Sequence, residues 1–150
     1  LTKFSKMVGF VKQDDIMLRE LSVAETLLFN ARMRYDPLSS ESPEAIANVM
    51  LTVLDLNHVR NTNIGDEKTR GVSGGQRKRV NIGMELVALP SILFLDEPTS
   101  GLDSASSMTV CGALREMADV GITVVSVIHQ PRFEIFNMFH KVMLLAKGGK

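Results

Sequence analysis

Two adjacent acids at the end of an apolar run are the clearest chemical feature of this chain. Ile92-Leu93-Phe94-Leu95 is followed directly by Asp96 and Glu97. Open α/β sheets bind their ligands at the C-terminal ends of buried parallel strands. At such an edge Asp96 could hold Mg²⁺, directly or through water, while Glu97 could orient or deprotonate an attacking water. Taken alone, two acids before a proline could equally end a strand in a polar turn.

A second candidate group is the string Ser73-Gly74-Gly75-Gln76. A serine followed by two glycines before a helix leaves backbone N–H groups open, because no Cβ blocks the approach of a phosphate. The partial positive charge at a helix N-terminus then favours an anion. These four residues are therefore predicted to bind a phosphate group. The alternative is that Ser73 only caps a helix after a flexible turn.

Two further polar residues follow apolar runs. His129 closes the run 122–128, where its ring could donate a hydrogen bond to a terminal phosphate, and Gln13 follows the first strand, where its amide could reach a metal-bound water. His58 and His140 have no such context and are assigned no role. Together the motifs predict a site for a nucleoside triphosphate with a metal ion. The sequence contains no glycine-rich phosphate loop ending in Gly-Lys-Ser or Gly-Lys-Thr.

Hydrophobic periodicity predicts alternating strands and helices. Ser22 and Glu25 have capping-box spacing, and Pro43 suits the first position of a helix whose apolar stripe is Ile46, Val49, Met50, Val53 and Leu54. Ser104 is expected to cap a later helix. Strands are expected at 7–11, 91–95, 122–128 and 142–145, and helices at 22–35, from 42, at 73–89, 104–119 and 133–139, with a loop at 57–72.

This order of elements favours βαβ units, and therefore an α/β fold with a parallel sheet and an inserted helical section at 22–56. The β-branched run 122–128 is expected to be buried on both faces of the sheet. Arg77-Lys78-Arg79, the densest basic stretch, is interpreted as a solvated helix face.

Composition narrows the class of protein. The 17 basic residues balance the 17 acidic residues, which argues against a nucleic-acid partner, since such proteins normally show a basic face. The single cysteine, Cys111, is expected to be a buried structural thiol. Scattered histidines give no metal-ligand spacing. No apolar run reaches the roughly 18 residues that span a bilayer.

The motifs in this order resemble the nucleotide-binding domain of ATP-binding cassette (ABC) proteins. The wording of 11–15, 71–79 and 128–131 is similar to the white-type transporters of subfamily G. In this resemblance Gln13 corresponds to the Q-loop, 72–76 to the signature motif, Asp96 to the Walker B aspartate, Glu97 to the catalytic glutamate, Asp103 to the D-loop acid and His129 to the switch histidine.

The resemblance implies a partial ABC ATPase domain over 1–150, with an incomplete P-loop NTPase-like parallel sheet and a helical subdomain at about 14–89. It implies ATP and Mg²⁺ as cofactors, with Glu97, His129 and Gln13 as catalytic residues and with Asp96 and Gln13 at the metal. Ser73, Gly74, Gly75, Gln76 and Asp103 would contact nucleotide. The missing Walker A loop is expected before Leu1, so the piece alone is expected to be inactive.

Partners and location follow from the same resemblance. ATP would lie between this domain and a second nucleotide-binding domain, in a homodimer or a heterodimer. Hydrolysis would be coupled to transport by a transmembrane domain of the same polypeptide, so the domain would work at the cytosolic face of a membrane. The alternatives are a soluble ABC-type ATPase acting on DNA or ribosomes, or an inactive truncated fragment. About sixty residues separate Gln13 from Ser73, which leaves no room for the long coiled coil of chromosome-organising relatives.

Overall fold

The computed structural model describes residues 7–35, 40–66 and 69–146. This part of the chain alternates strands and helices, as expected. The elements are β1 (Val8–Val11), α1 (Val23–Met33), α2 (Pro43–Val53), a 3-10 turn (Asn57–Val59), α3 (Gly74–Leu86), β2 (Ile92–Asp96), α4 (Ser104–Asp119), β3 (Thr123–Val127) and α5 (Phe133–Phe136).

The three strands form one parallel sheet in the order β1-β2-β3. Val11 pairs with Leu95, and Asp96 pairs with Val127. The C-terminal ends of all three strands therefore lie along one edge of the sheet. The predicted α/β fold with a parallel sheet is confirmed.

Hydrogen bonds from free backbone N–H groups to a capping side chain fix where α1, α2 and α4 begin. The Ser22 hydroxyl accepts from the Glu25 backbone N–H while the Glu25 carboxylate accepts from the Ser22 N–H, and Ser42 caps α2 ahead of Pro43. The predicted cap of α4 is wrong by one residue. Asp103 is the N-cap, because its carboxylate accepts from the backbone N–H groups of Ala105 and Ser106, and Ser104 is the first helical residue.

One face of the sheet is covered and the other is exposed. Leu93 and Leu95 are buried on the face where α3 packs on β1 and α4 packs on β3. On the opposite face Phe10, Phe94 and Val125 are adjacent in register and are 53%, 37% and 45% exposed. The expectation that the third strand is buried on both faces is therefore wrong, since the described helices pack on one face only.

α1 and α2 pack against each other and against α3, and their buried side chains join the same core as those of the sheet. α2 buries Ile46, Ala47, Met50 and Leu51, whereas Val49 is 53% exposed. The predicted apolar stripe is thus correct except at Val49, because the buried face is centred nearer Ala47. The limits 14–89 of a helical subdomain stay a prediction.

The basic stretch is not a solvated face. The side chains of Lys78 and Arg79 are 4% and 10% exposed. The Arg79 guanidinium donates to the backbone oxygens of Leu54 (2.8 Å) and Asp55 (3.1 Å), which satisfies carbonyl groups near the C-terminal end of α2.

Several predicted element ends are wrong. α3 ends at Leu86 and α5 at Phe136, and Val142–Leu145 is exposed and has no strand structure. An apolar run forms a strand only where a neighbouring strand supplies hydrogen-bond partners. Among the described residues, no helix is both long enough and apolar enough to cross a bilayer.

Candidate functional site

Glu97 is the residue around which the predicted site assembles. It follows β2 directly, and its backbone N–H donates to the Val127 carbonyl oxygen at 3.0 Å, which extends the pairing with β3 by one step. Its φ angle is +46°, a left-handed conformation that side chains other than glycine adopt at a cost of about 1–3 kcal/mol. This conformation sets the direction of the side chain, which is 24% exposed.

The Glu97 carboxylate is held by groups from both neighbouring strands. The Gln13 side-chain amide donates to Oε2 at 3.0 Å, and His129 Nε2 lies 2.9 Å from Oε1. This distance is within the range of an ion pair or hydrogen bond between the imidazole ring and the carboxylate. The acid and the imidazole therefore meet at one edge of the sheet.

Asp96 is the last residue of β2 and is exposed on the same face as Phe94. Its carboxylate is the type of oxygen ligand that Mg²⁺ prefers. Within the residues that the structure describes, no group of three or more His, Cys, Asp or Glu side chains could hold a metal ion. A single carboxylate such as Asp96 is compatible with a Mg²⁺ ion that takes its other ligands from phosphate oxygens and water, as is common for this ion.

Residues 72–76, called here the signature string, contain the start of α3. Ser73 is the N-cap: its hydroxyl accepts from the Gln76 backbone N–H at 3.2 Å, while the Gln76 side-chain oxygen accepts from the Ser73 N–H at 2.9 Å. Ser73 and Gly74 are exposed, but Gly75 is buried. A Cβ on Gly75 would lie 2.7 Å from the Ser106 side chain, so internal packing also requires glycine there.

His58, which had no role in the sequence analysis, contacts the signature string. Gln76 Nε2 lies 3.1 Å from His58 Nε2. Because the Gln76 amide nitrogen is a donor, the His58 nitrogen that faces it must be the unprotonated acceptor. His58 lies in the segment between α2 and α3, where no motif or periodicity marks it, so the sequence offered no signal for this contact.

Asp103 lies close to the signature string because it starts the helix that packs there. Hydrogen bonds from Ser106 and Ala105 lower the pKa of its carboxyl group below the usual value. The neighbouring Leu102 side chain lies 3.6 Å from the position of a Cβ on Gly74. The segment after β2 therefore contacts the N-terminus of α3. The candidate site residues thus form two groups: Asp103 lies near the start of α3, and Glu97 lies with Gln13 and His129.

The loop that carries Gln13 is anchored to α3 by contacts that the sequence analysis missed. Lys78 Nζ donates to the Gln13 carbonyl oxygen at 2.7 Å and to Asp15 Oδ1 at 2.6 Å, and Asn81 Nδ2 donates to the same Asp15 oxygen at 2.7 Å. Lys78 and Asn81 are one helical turn apart and so share a face of α3.

Comparison with known proteins agrees with this geometry. The family model described as "ABC transporter" matches residues 1–100. The chain is 48% identical over 151 residues to ABC transporter G family member 28 of Arabidopsis thaliana, which covers 99% of this chain and 14% of that protein. It is 46% identical over 142 residues to the rat broad substrate specificity ATP-binding cassette transporter ABCG2, covering 93% of this chain and 22% of the relative.

This chain belongs to the ABC transporter family. Its relatives place it with the G-type members, as the motifs predicted. The chain spans about one seventh of the length of the plant relative.

Proposed function

We propose that this chain is the ATP-binding and ATP-hydrolysing module of a G-type ABC transporter. The proposal depends on one observation, the position of the Glu97 carboxylate between the Gln13 amide and the His129 ring. Family membership supports ATP as the nucleotide, and the names of the relatives support transport as the process that hydrolysis drives.

Each residue of this group has a role that its chemistry allows. Glu97 would accept a proton from the attacking water, since its carboxylate lies at the edge of the sheet where the strands end and can act as a base. The Nε2–H of His129 and the amide of Gln13 can turn from Glu97 to a terminal phosphate, since both are donors. Bound Mg²⁺, held by Asp96 and Gln13, would neutralise phosphate charge.

Ser73 and Gly74 would contact the phosphates of ATP held by a second copy of the domain. Their exposure at the N-terminus of a 13-residue helix supports this role, because the backbone N–H groups there favour an anion. Gln76 and Gly75 support the turn from inside the molecule. Asp103, next to them, would lie in the same interface. The partners are therefore a second nucleotide-binding domain and a transmembrane domain, and the location is the cytosolic face of a membrane.

The proposed function is tested by replacing Glu97 with glutamine in the full-length transporter. Glu97→Gln keeps the size of the side chain but removes its charge and its basicity, so ATP binding should persist while steady-state hydrolysis falls about 100-fold or more. Binding of a fluorescent ATP analogue and release of inorganic phosphate measure the two quantities.

The matched control is Glu116→Gln, which makes the same chemical change at an exposed position of α4. We expect this variant to hydrolyse ATP at the normal rate. Near-normal turnover in Glu97→Gln would contradict the proposed function of the site.

A further inference from the structure

Lys78 is a buried cation whose ammonium group binds the loop after β1. Its side chain is 4% exposed, and Nζ contacts the Gln13 carbonyl oxygen and the Asp15 carboxylate. Burying an ammonium group is costly unless it is paired and hydrogen-bonded, and both conditions are met here. The position of Lys78 is therefore tied to that loop.

Asn81 adds a third contact to the same loop. Its side-chain amide donates to the Asp15 oxygen that also accepts from Lys78. Two donors on one face of α3 thus hold one carboxylate, and Lys78 also holds the backbone of Gln13 itself. The loop is attached to α3 on both sides of Asp14.

The anchored loop presents the Gln13 amide to Glu97. The backbone oxygen of Gln13 is fixed by α3, while its side chain spans 3.0 Å to Glu97 at the end of β2. α3 begins at the exposed Ser73 end, five residues before Lys78. The hydrogen-bonded helix α3 therefore connects Ser73, the proposed phosphate contact, with Lys78. Lys78 in turn holds Gln13, the residue that touches Glu97.

We propose that Lys78 is a positioning residue for ATP hydrolysis: by holding the Gln13 loop on α3, it sets the Gln13 amide against Glu97 and couples that contact to the Ser73 end of the helix. This inference rests on the proposed function. Lys78 acts through Gln13 and does not itself touch the reacting groups. Its effect on hydrolysis must therefore disappear when Gln13 has no amide to position.

The experiment is a double-mutant cycle on ATP hydrolysis by the full-length transporter, with Lys78→Met, Gln13→Ala and the double variant. Since a small displacement of a catalytic group can cost up to about 100-fold in rate, Lys78→Met alone should lower kcat about 10- to 100-fold, with KM for ATP changed less than about 3-fold. In the Gln13→Ala background the same substitution should lower kcat less than about 3-fold.

Arg79→Met is the matched control, because it removes the neighbouring buried cation of α3. Arg79 contacts the carbonyl oxygens of Leu54 and Asp55, which lie outside the Gln13 loop. Arg79→Met should therefore change kcat by the same factor in the chain with Gln13 and in the Gln13→Ala variant. If Lys78→Met prevents folding, Asp15→Asn replaces it in the cycle, since it removes the charge that Lys78 pairs with and keeps the size of the side chain.

The outcomes separate the two proposals. If Lys78→Met, or Asp15→Asn in its place, lowers kcat by the same factor with and without the Gln13 amide, the positioning role is overturned. This holds even when Glu97→Gln abolishes hydrolysis. Hydrolysis that survives Glu97→Gln would overturn the proposed function and, with it, this inference. Loss of the Lys78 effect in the Gln13→Ala background is the expected result.

Discussion

Gly74 and Gly75, adjacent at the start of α3, have different surroundings. A Cβ on Gly75 would lie 2.7 Å from the Ser106 side chain of α4, which real Cβ atoms do not tolerate without movement. A Cβ on Gly74 would lie 3.6 Å from Leu102, an ordinary contact distance. Gly75 is therefore required for the close approach of α3 and α4, whatever it contributes to binding phosphate.

We expect Gly75→Ala to lower the free energy of unfolding by about 1–3 kcal/mol, because an added methyl group must displace Ser106. Gly74→Ala, its neighbour, should change that free energy by less than about 1 kcal/mol, since alanine fits there and favours the helix. Urea unfolding of the purified chain measures both values. Equal losses in the two variants would contradict the packing argument.

The position of Glu97 at the end of a strand could be predicted from the sequence, but the contacts of its carboxylate could be predicted only in part. Glu97 and His129 each follow an apolar run, and parallel strands end at one edge, so the proximity of these two residues followed from the pattern, whereas the contact between Gln13 and Glu97 did not. The anchoring of Gln13 by Lys78 could not be predicted in this way. Lys78 and Asp15 are 63 residues apart, and a basic tripeptide on a helix looks the same whether it faces solvent or a loop.

At the level of elements, α4 buries the only cysteine of the chain. Cys111 is a free, buried thiol, as the sequence predicted. Burial raises the pKa of its thiol from 9.0 to about 11. Because the folded-state pKa lies above the unfolded one, the stability that this group contributes is present below pH 9.0 and is lost as the pH rises towards 11.

This packing predicts slow alkylation of Cys111. At about pH 8 a pKa increase from 9.0 to about 11 lowers the thiolate fraction about a hundredfold, and the thiolate is the reactive form. Iodoacetamide should therefore modify Cys111 at least about a hundred times more slowly in the folded chain than in urea, as followed by mass spectrometry. Comparable rates in the two states would show that α4 does not pack as described.

Helix caps show where sequence reasoning works well. The capping box at Ser22 and the helix start at Pro43 were predicted correctly, because both depend on residues within three or four positions. At the start of α4 two capping residues are adjacent, and local pattern cannot choose between Asp103 and Ser104. The run 142–145 has strand composition but no strand structure, because pairing depends on distant partners.

At the level of the whole described molecule, the exposed face of the sheet is the largest departure from expectation. Phe10, Phe94 and Val125 are neighbours across three strands, so they form a continuous apolar surface. The sequence shows that these residues are apolar, but it does not show on which face helices pack. The net charge of the chain is zero, which gives little repulsion between copies.

We expect the purified chain to self-associate through this face, and Phe10→Lys to weaken that association about tenfold or more, because burying one phenylalanine is worth about 1.5–3 kcal/mol. Sedimentation equilibrium measures the association constant. The control is Val120→Lys, which places the same charge on an exposed residue at the end of α4. An equal effect of both substitutions would assign the association to net charge instead of to the sheet face.

The register of the sheet also has a consequence for the order in which the chain acquires structure. Among the described strands β1 pairs with β2, which is made about eighty residues later, so closing that long loop costs entropy before the pairing repays it. α1 and α2 are near neighbours in sequence and can dock early. Among the described elements β1 leaves the ribosome first, and its pairing with β2 can form only after β2 has been made. The carboxylate at Glu97 thus acquires its partners among the last steps of folding.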